Sequence, residues 1–436
     1  MKNNGGINKE LLKLAIPNIL SNISVPLLSS VDTALMGHES VKHLGAVGIG
    51  AMVFNFLYWN FGFLRMGTTG FASQAFGAND KQEVINTLFR SAFLALIISF
   101  ILILFGGGLG NIACQLMNVQ EGQFDLVYEY FTIRIWAAPA SLLLFTLFGW
   151  FFGMQNAIFP LLVTITLNLT NIFVSFYLVR YMGMGIAGVA WGTVIAQYTG
   201  LLIALLLFMV KYRQLLTDLN AQALKRLDKL SLFLKINGDI FLRTFCLTFV
   251  FGFFYAQSSK MQANTLEINT ILMQFLNWMS YGVDGFAYAA ESLVGKYLGA
   301  SNKDKLKLAV RQSFRWGMGM ALVYALVYLF FGESLLAIFT NDPILIAASS
   351  AYLYWMFILP IAGTPCYIWD GIFVGLAASR EMRNGMLIAL LSFLLSYFLL
   401  KTNYGNDGLW ASLTIFLVFR ALILWIYYRR GSFERI

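Results

Sequence analysis

The sequence predicts an all-α polytopic membrane protein, with twelve transmembrane helices arranged as two pseudo-symmetric six-helix lobes. Three observations carry that expectation. Hydrophobic residues make up 59% of the 436-residue chain and charged residues only 12%, where a soluble domain carries about 25% charged residues. Mean hydropathy is +0.70, and the apolar residues gather into runs near the ~20 residues that a bilayer core demands. The second half then echoes the first: Gly77-Ala78-Asn79-Asp80 returns 222 residues later as Gly299-Ala300-Ser301-Asn302. Ser175-Phe-Tyr-Leu-Val-Arg180 is answered by Ser396-Tyr-Phe-Leu-Leu-Lys401, and Gly188-Val-Ala-Trp191 more loosely by Gly408-Leu-Trp-Ala411.

In chain order the segments fall at 12–36, 45–70, 86–110, 124–153, 158–180 and 184–209, then 234–257, 268–295, 308–331, 347–376, 382–402 and 406–428. Backbone facing lipid must satisfy its own polar groups, so runs of this length without strand alternation are helices. The first segment is too long for a cleavable signal peptide, contains Asp32 and has no small-residue cleavage site. Its Pro17 and Pro26 remove backbone donors and supply places to bend. Several later segments exceed the bilayer core and are expected to tilt or kink. The organisation that follows is an N-terminal lobe at 1–210, a cytoplasmic linker at 211–233 and a C-terminal lobe at 234–436.

Charge sets the orientation. With the N-terminus inside, inner loops and tails hold 21 of the 30 Lys and Arg, whereas the outer loops hold Lys42, Arg180, Lys260 and Lys401. The outer loops at 111–123 and 332–346 have none. This is the positive-inside pattern, with both termini cytoplasmic, and it accounts for the net charge of +9 without a nucleic-acid partner. Short tails without a transit peptide favour a bacterial inner (plasma) membrane. Cys114, Cys246 and Cys366 stand singly in apolar stretches, which implies neither a disulfide framework nor a metal site. His38 and His43 share one outer loop, too few to build a catalytic or metal constellation, so the chain is not expected to be an enzyme or to hold a cofactor.

The chemistry is expected in ionisable residues inside the membrane, where each costs about 2.5–3.5 kcal/mol on insertion scales. Asp32, Arg65, Asp284, Glu291 and Asp370 stand out. Asp32 lies on the outward half of the first helix, and a buried carboxylate there could exchange a proton as a cleft opens to each side in turn. Asp284 and Glu291 are seven apart, two helical turns, and so share a face. With Asp370 they form either a substrate or cation site or a polar network with Lys296 or tyrosines. Asn171 and Ser175, four apart, are able to address one partner. Arg65 needs a partner that the sequence does not choose.

Four motifs in order carry a resemblance. They are Ala15-Ile-Pro17 through Val31-Asp-Thr-Ala-Leu-Met-Gly-His38, Phe63-Leu-Arg-Met-Gly-Thr-Thr-Gly70 with Gln74-Ala-Phe-Gly-Ala78, Asp284-Gly-Phe-Ala-Tyr-Ala-Ala-Glu291, and Trp369-Asp-Gly-Ile-Phe-Val-Gly375 followed by Glu381-Met-Arg-Asn384. Over nearly the whole chain the sequence resembles the multidrug and toxic compound extrusion (MATE) transporters, in particular their DinF-like branch. The resemblance implies a two-lobed exporter driven by an inward proton or sodium gradient, with coupling centred on Asp32, Asn171 and Thr193. Ser175 stands where the branch has a second acidic residue. A pocket with one carboxylate suits a proton better than sodium, which wants several hard oxygens.

The expected activity is therefore antiport of amphiphilic, cationic organic compounds against protons by alternating access, by a monomer among membrane lipids. A cleft rich in Phe, Tyr, Trp and Met with acidic groups suits such cargo. Sodium coupling, organic-anion export and flipping of a lipid-linked precursor are the alternatives.

Overall fold

The computed structural model describes residues 4–37, 41–117, 119, 121–219 and 227–431; side chains at 4–5, 25–37, 41–44, 116, 121 and 227–228 lie outside the description. Among these residues fifteen α-helices follow one another: α1 (Asn4–Gly37), α2 (Val41–Asn60), α3 (Phe63–Gly77), α4 (Lys81–Leu104), α5 (Gly106–Leu116), α6 (Glu121–Arg134), α7 (Ala138–Gly153), α8 (Ile158–Arg180) and α9 (Gly185–Tyr212). After these come α10 (Leu227–Ser258), α11 (Thr265–Gly299), α12 (Lys303–Leu336), α13 (Pro343–Ser350), α14 (Leu353–Gly375) and α15 (Ser379–Arg429). Among the described residues there is no strand, and nine helical stretches are long and apolar enough to cross a membrane.

Every expected segment lies on helix, with breaks that periodicity did not show. The 45–70 segment is divided at Phe61–Gly62 between α2 and α3, and 124–153 passes through a 3-10 turn at Ile135–Ala137 before Pro139 opens α7. The last two segments form one 51-residue helix, broken at Gly405, whose φ of 51° and ψ of −122° are not helical.

The chain folds as two compact units, Leu20–Leu232 and Met1–Ile19 with Phe233–Ile436. The second differs from the expected C-terminal lobe of 234–436, because the first stretch of α1 packs with C-terminal helices. Ala15 and Ile19 abut Gly285 on α11, Glu10 accepts hydrogen bonds from Lys296 Nζ and Tyr297 Oη at 2.8 Å each, and Trp316 Nε1 donates to Asn8. The unit boundary falls two residues beyond Pro17. In the expected linker, the chain makes a 3-10 turn at Arg213–Asp218, and Lys229 pairs with Glu83 at 2.6 Å. The other oxygen of that carboxylate holds Arg90, also at 2.6 Å.

Each unit contains the same tightly packed helix pair. In α7, a Cβ on Gly149 would strike the carbonyl oxygen of Arg65, and one on Gly153 would lie 2.6 Å from the Ala72 Cβ. In α14, a Cβ on Gly371 would strike the carbonyl oxygen of Ala287, and one on Gly375 would lie 2.5 Å from that of Glu291. Small residues four apart let membrane helices approach to backbone contact. Gly371 and Gly375 stand 222 positions beyond Gly149 and Gly153, and Ala287 stands 222 beyond Arg65. The turns repeat too. Asn79, Gln155, Ser301 and Ala377 all adopt left-handed φ between 52° and 60°. In each turn the next residue's N–H reaches back to a carbonyl in the last helical turn, as in Asp80 to Ala75 and Asn302 to Tyr297. Asp80 and Asn302 then cap the following helices through Glu83 N and Lys305 N.

Candidate functional site

In the N-terminal unit the polar groups that α8 and α9 bring together are uncharged. Asn171 and Ser175 sit one turn apart on α8, both fully buried, and both face α9. Asn171 Nδ2 donates to Thr193 Oγ1 at 2.9 Å, and Thr193 in turn donates to Val189 O at 3.1 Å. Ser175 lies against Gly192, where any side chain would collide with its hydroxyl. Asn171 and Ser175 thus share a face as their spacing predicts, and Thr193 of α9 meets Asn171 there. Asn171 Oδ1 and Ser175 Oγ are left without a hydrogen-bond partner, a costly state for buried oxygens. The side chains of Asp32 and Pro26 lie outside the described residues, as does His38; Pro17 is half-buried within continuous helix.

A second polar chain crosses the same unit. The Thr68 and Ser91 hydroxyls are 2.5 Å apart, Ser91 and Thr146 3.2 Å, joining α3, α4 and α7. Arg65 is half-buried on α3, its guanidinium 6.0 Å from the Phe152 ring centre. Arg134 lies 5.2 Å from the Phe54 ring and reaches Tyr130 Oη at 3.4 Å.

The C-terminal unit is ionic instead. Asp370 on α14 is buried and accepts through one oxygen, Oδ2, from two arginines: Arg243 Nη2 of α10, and Arg420 Nη2 of α15 at 2.5 Å. Arg243, Asp370 and Arg420 are 7%, 8% and 3% exposed. The Arg420 guanidinium also lies 5.3 Å from the Phe416 ring and 5.9 Å from Tyr367. Cys366, one turn before Asp370, is fully buried. Asp284 is half-buried on α11, within electrostatic reach of Cys366 and Tyr367, and Glu291 is buried, its backbone packed on Gly375 of α14.

This corrects the expected network. Lys296 does not serve Asp370; it pairs with Glu10, and Asp370 is held by arginines instead. Asp239, near the inner end, accepts from Ser379 at 3.0 Å and from Arg383 at 2.6 Å. The sequence reading sought carboxylates and passed over Arg243 and Arg420. The signal was available, since each arginine stands well inside an apolar segment and needs an acceptor there.

The MatE family model matches the chain twice, at residues 17–177 and 240–401. The DNA damage-inducible protein F of Escherichia coli (strain K12) is 36% identical, the match covering 97% of this chain and 92% of that protein. A probable multidrug resistance protein NorM of Thermotoga maritima is 23% identical over 98% of this chain and 94% of its own. Among solved structures, one described as the outward-facing conformation of a multidrug resistance MATE family transporter of the MOP superfamily superposes with a TM-score of 0.89 at 17% identity, covering 99% of this chain and 97% of that one. The double match repeats the internal duplication that the turns and glycines display, and the chain belongs to the MatE family of membrane transporters.

Proposed function

We propose that this protein is a proton-driven exporter of amphiphilic organic compounds, working by alternating access in a bacterial plasma membrane with both termini in the cytoplasm. Family membership supplies the transport class, and relatives named for multidrug resistance suggest the cargo. One observation carries the choice of ion: Asn171, Ser175 and Thr193 offer only neutral groups. A single carboxylate, Asp32 by the resemblance, would be the charge they serve. When protonated, that carboxyl could donate a hydrogen bond to the unpaired Asn171 Oδ1 or Ser175 Oγ. Sodium would find one formal charge and neutral oxygens, a thin ligand set. Bending near Pro17 or Pro26 would change what Asp32 faces. Competition at Asp32 then gives antiport, with proton uptake favouring release and proton loss restoring affinity.

Cationic cargo suits the acidic and aromatic inventory. Organic anions are a second reading, favoured by the two arginines that close on Asp370. The deciding experiment is dye efflux from everted vesicles, comparing wild type with Asp32→Asn under separate proton and sodium gradients. Proton-driven efflux lost in the variant supports the proposal. Efflux that survives the substitution, or follows sodium alone, sinks it and moves coupling to Asp284, Glu291 and Asp370.

A further inference from the structure

The charge balance at Asp370 is wrong for a structural ion pair. Arg243 and Arg420 are both more than nine-tenths buried, yet they share one carboxylate oxygen. Their Nε groups are buried without an acceptor. Among the described residues, all hydrogen bonds from the two guanidiniums go to Asp370. Asp284 lies within electrostatic reach of Cys366 and Tyr367, the residues beside this cluster. Burying even a balanced pair gains little over a well-packed apolar substitute. Burying a second guanidinium with unmet donors is worse, unless something else at times supplies an anion.

We propose that Arg243 and Arg420 form a binding site for the anionic group of an amphiphile, a carboxylate or sulfonate, and that Asp370 is its built-in competitor. A guanidinium presents donors in a planar fork that matches two oxygens at once. In the resting arrangement Asp370 occupies that fork. An incoming anion takes over the Nη groups and the unmet Nε donors. The half-buried Tyr367 ring lies 5.9 Å from the Arg420 guanidinium and offers an apolar body a surface beside the charge. The proposal rests on the transporter reading and gives its second, anionic form a site. It is tested by binding without any gradient, so loss of proton coupling leaves it untouched.

The test uses the full-length protein in phosphatidylcholine nanodiscs and equilibrium dialysis of dansylglycine, an amphiphilic carboxylate, beside a dansyl derivative bearing trimethylammonium. Wild type is expected to bind the anion, and Arg243→Gln or Arg420→Gln to weaken it by at least about tenfold, the worth of one charged hydrogen bond. Asp370→Asn removes the competitor and is expected to tighten anion binding by a similar factor. Because that variant leaves two buried arginines unpaired, Arg243→Gln/Asp370→Asn keeps one guanidinium without the carboxylate and is expected to bind the anion at least as well as wild type. Anion affinity unchanged in the single arginine variants overturns the site. So does binding of the cation alone, lost in Asp370→Asn and in the double variant. Displacement by chloride as readily as by acetate overturns the organic class and makes the occupant an inorganic anion.

Discussion

The two units share a backbone plan and differ in what they place at equivalent points of it. Gly149 and Gly371 do the same job, as do the left-handed residues Asn79 and Ser301. The Thr68–Ser91–Thr146 hydroxyl chain of the N-terminal unit, however, meets Ala290, Ser313 and Ile368 in the other. In the opposite sense, Asp370 stands where the N-terminal unit has Phe148. Close helix packing is thus held in common and the buried polar groups at these points are divided: a hydroxyl chain on one side, a carboxylate held by two arginines on the other. A scaffold fixed by backbone contact leaves the residues around it free to diverge.

The strongest way to break this contrast is to delete one polar element from each unit. Asp370→Ala leaves two buried guanidiniums unpaired and is expected to cost about 3–5 kcal/mol. Ser91→Ala removes neutral hydrogen bonds and should cost about 1 kcal/mol. Thermal unfolding in detergent measures both, and equal costs would erase the distinction. The shared plan is tested next. Gly149→Ala and Gly371→Ala each push a methyl into a carbonyl oxygen and should destabilise by similar amounts, about 1–3 kcal/mol. A cost confined to one of them would show that the two helix pairs are not equivalent.

The smallest effect concerns Glu10. Burial opposes its ionised form, but hydrogen bonds from Lys296 and Tyr297 outweigh that and hold its carboxyl below the ordinary 4.5. A depressed carboxylate contributes stability above its unfolded value, and that stability is lost as pH falls through the folded one. Glu10→Gln should therefore lower the free energy of unfolding near pH 7 by less than about 1 kcal/mol for so exposed a pair. The gap to wild type should close as pH drops below 4.5. A gap that widens on acidification would contradict the ion pair.

Much of this was legible in the sequence. Length and hydropathy located the helices, Gly405 fell in the expected gap between 402 and 406, and the 222-residue echo reported a real duplication of turns. Asn171 and Thr193 meet as the resemblance implies. Two things were not legible. Hydropathy is blind to which neighbours a helix chooses, so the grouping of Ile7–Ile19 with the C-terminal helices had no signal in it. An arginine inside an apolar run also names no partner, and the convergence of Arg243 and Arg420 on Asp370 joins residues 127 and 50 positions apart.

The left-handed turns bear on ancestry as well as on packing. From Asn79 to Gln155 in one half and from Ser301 to Ala377 in the other, the chain advances by the same number of residues, so no net insertion separates the two halves there. Farther along, Ser175 and Ser396 have slipped out of step by one. A residue inserted in α7 or α14 ahead of its glycines would turn them about 100° away from the partner helix. Length in the early helices of each half is therefore held by the glycine contacts, while the later ones are one residue out of step.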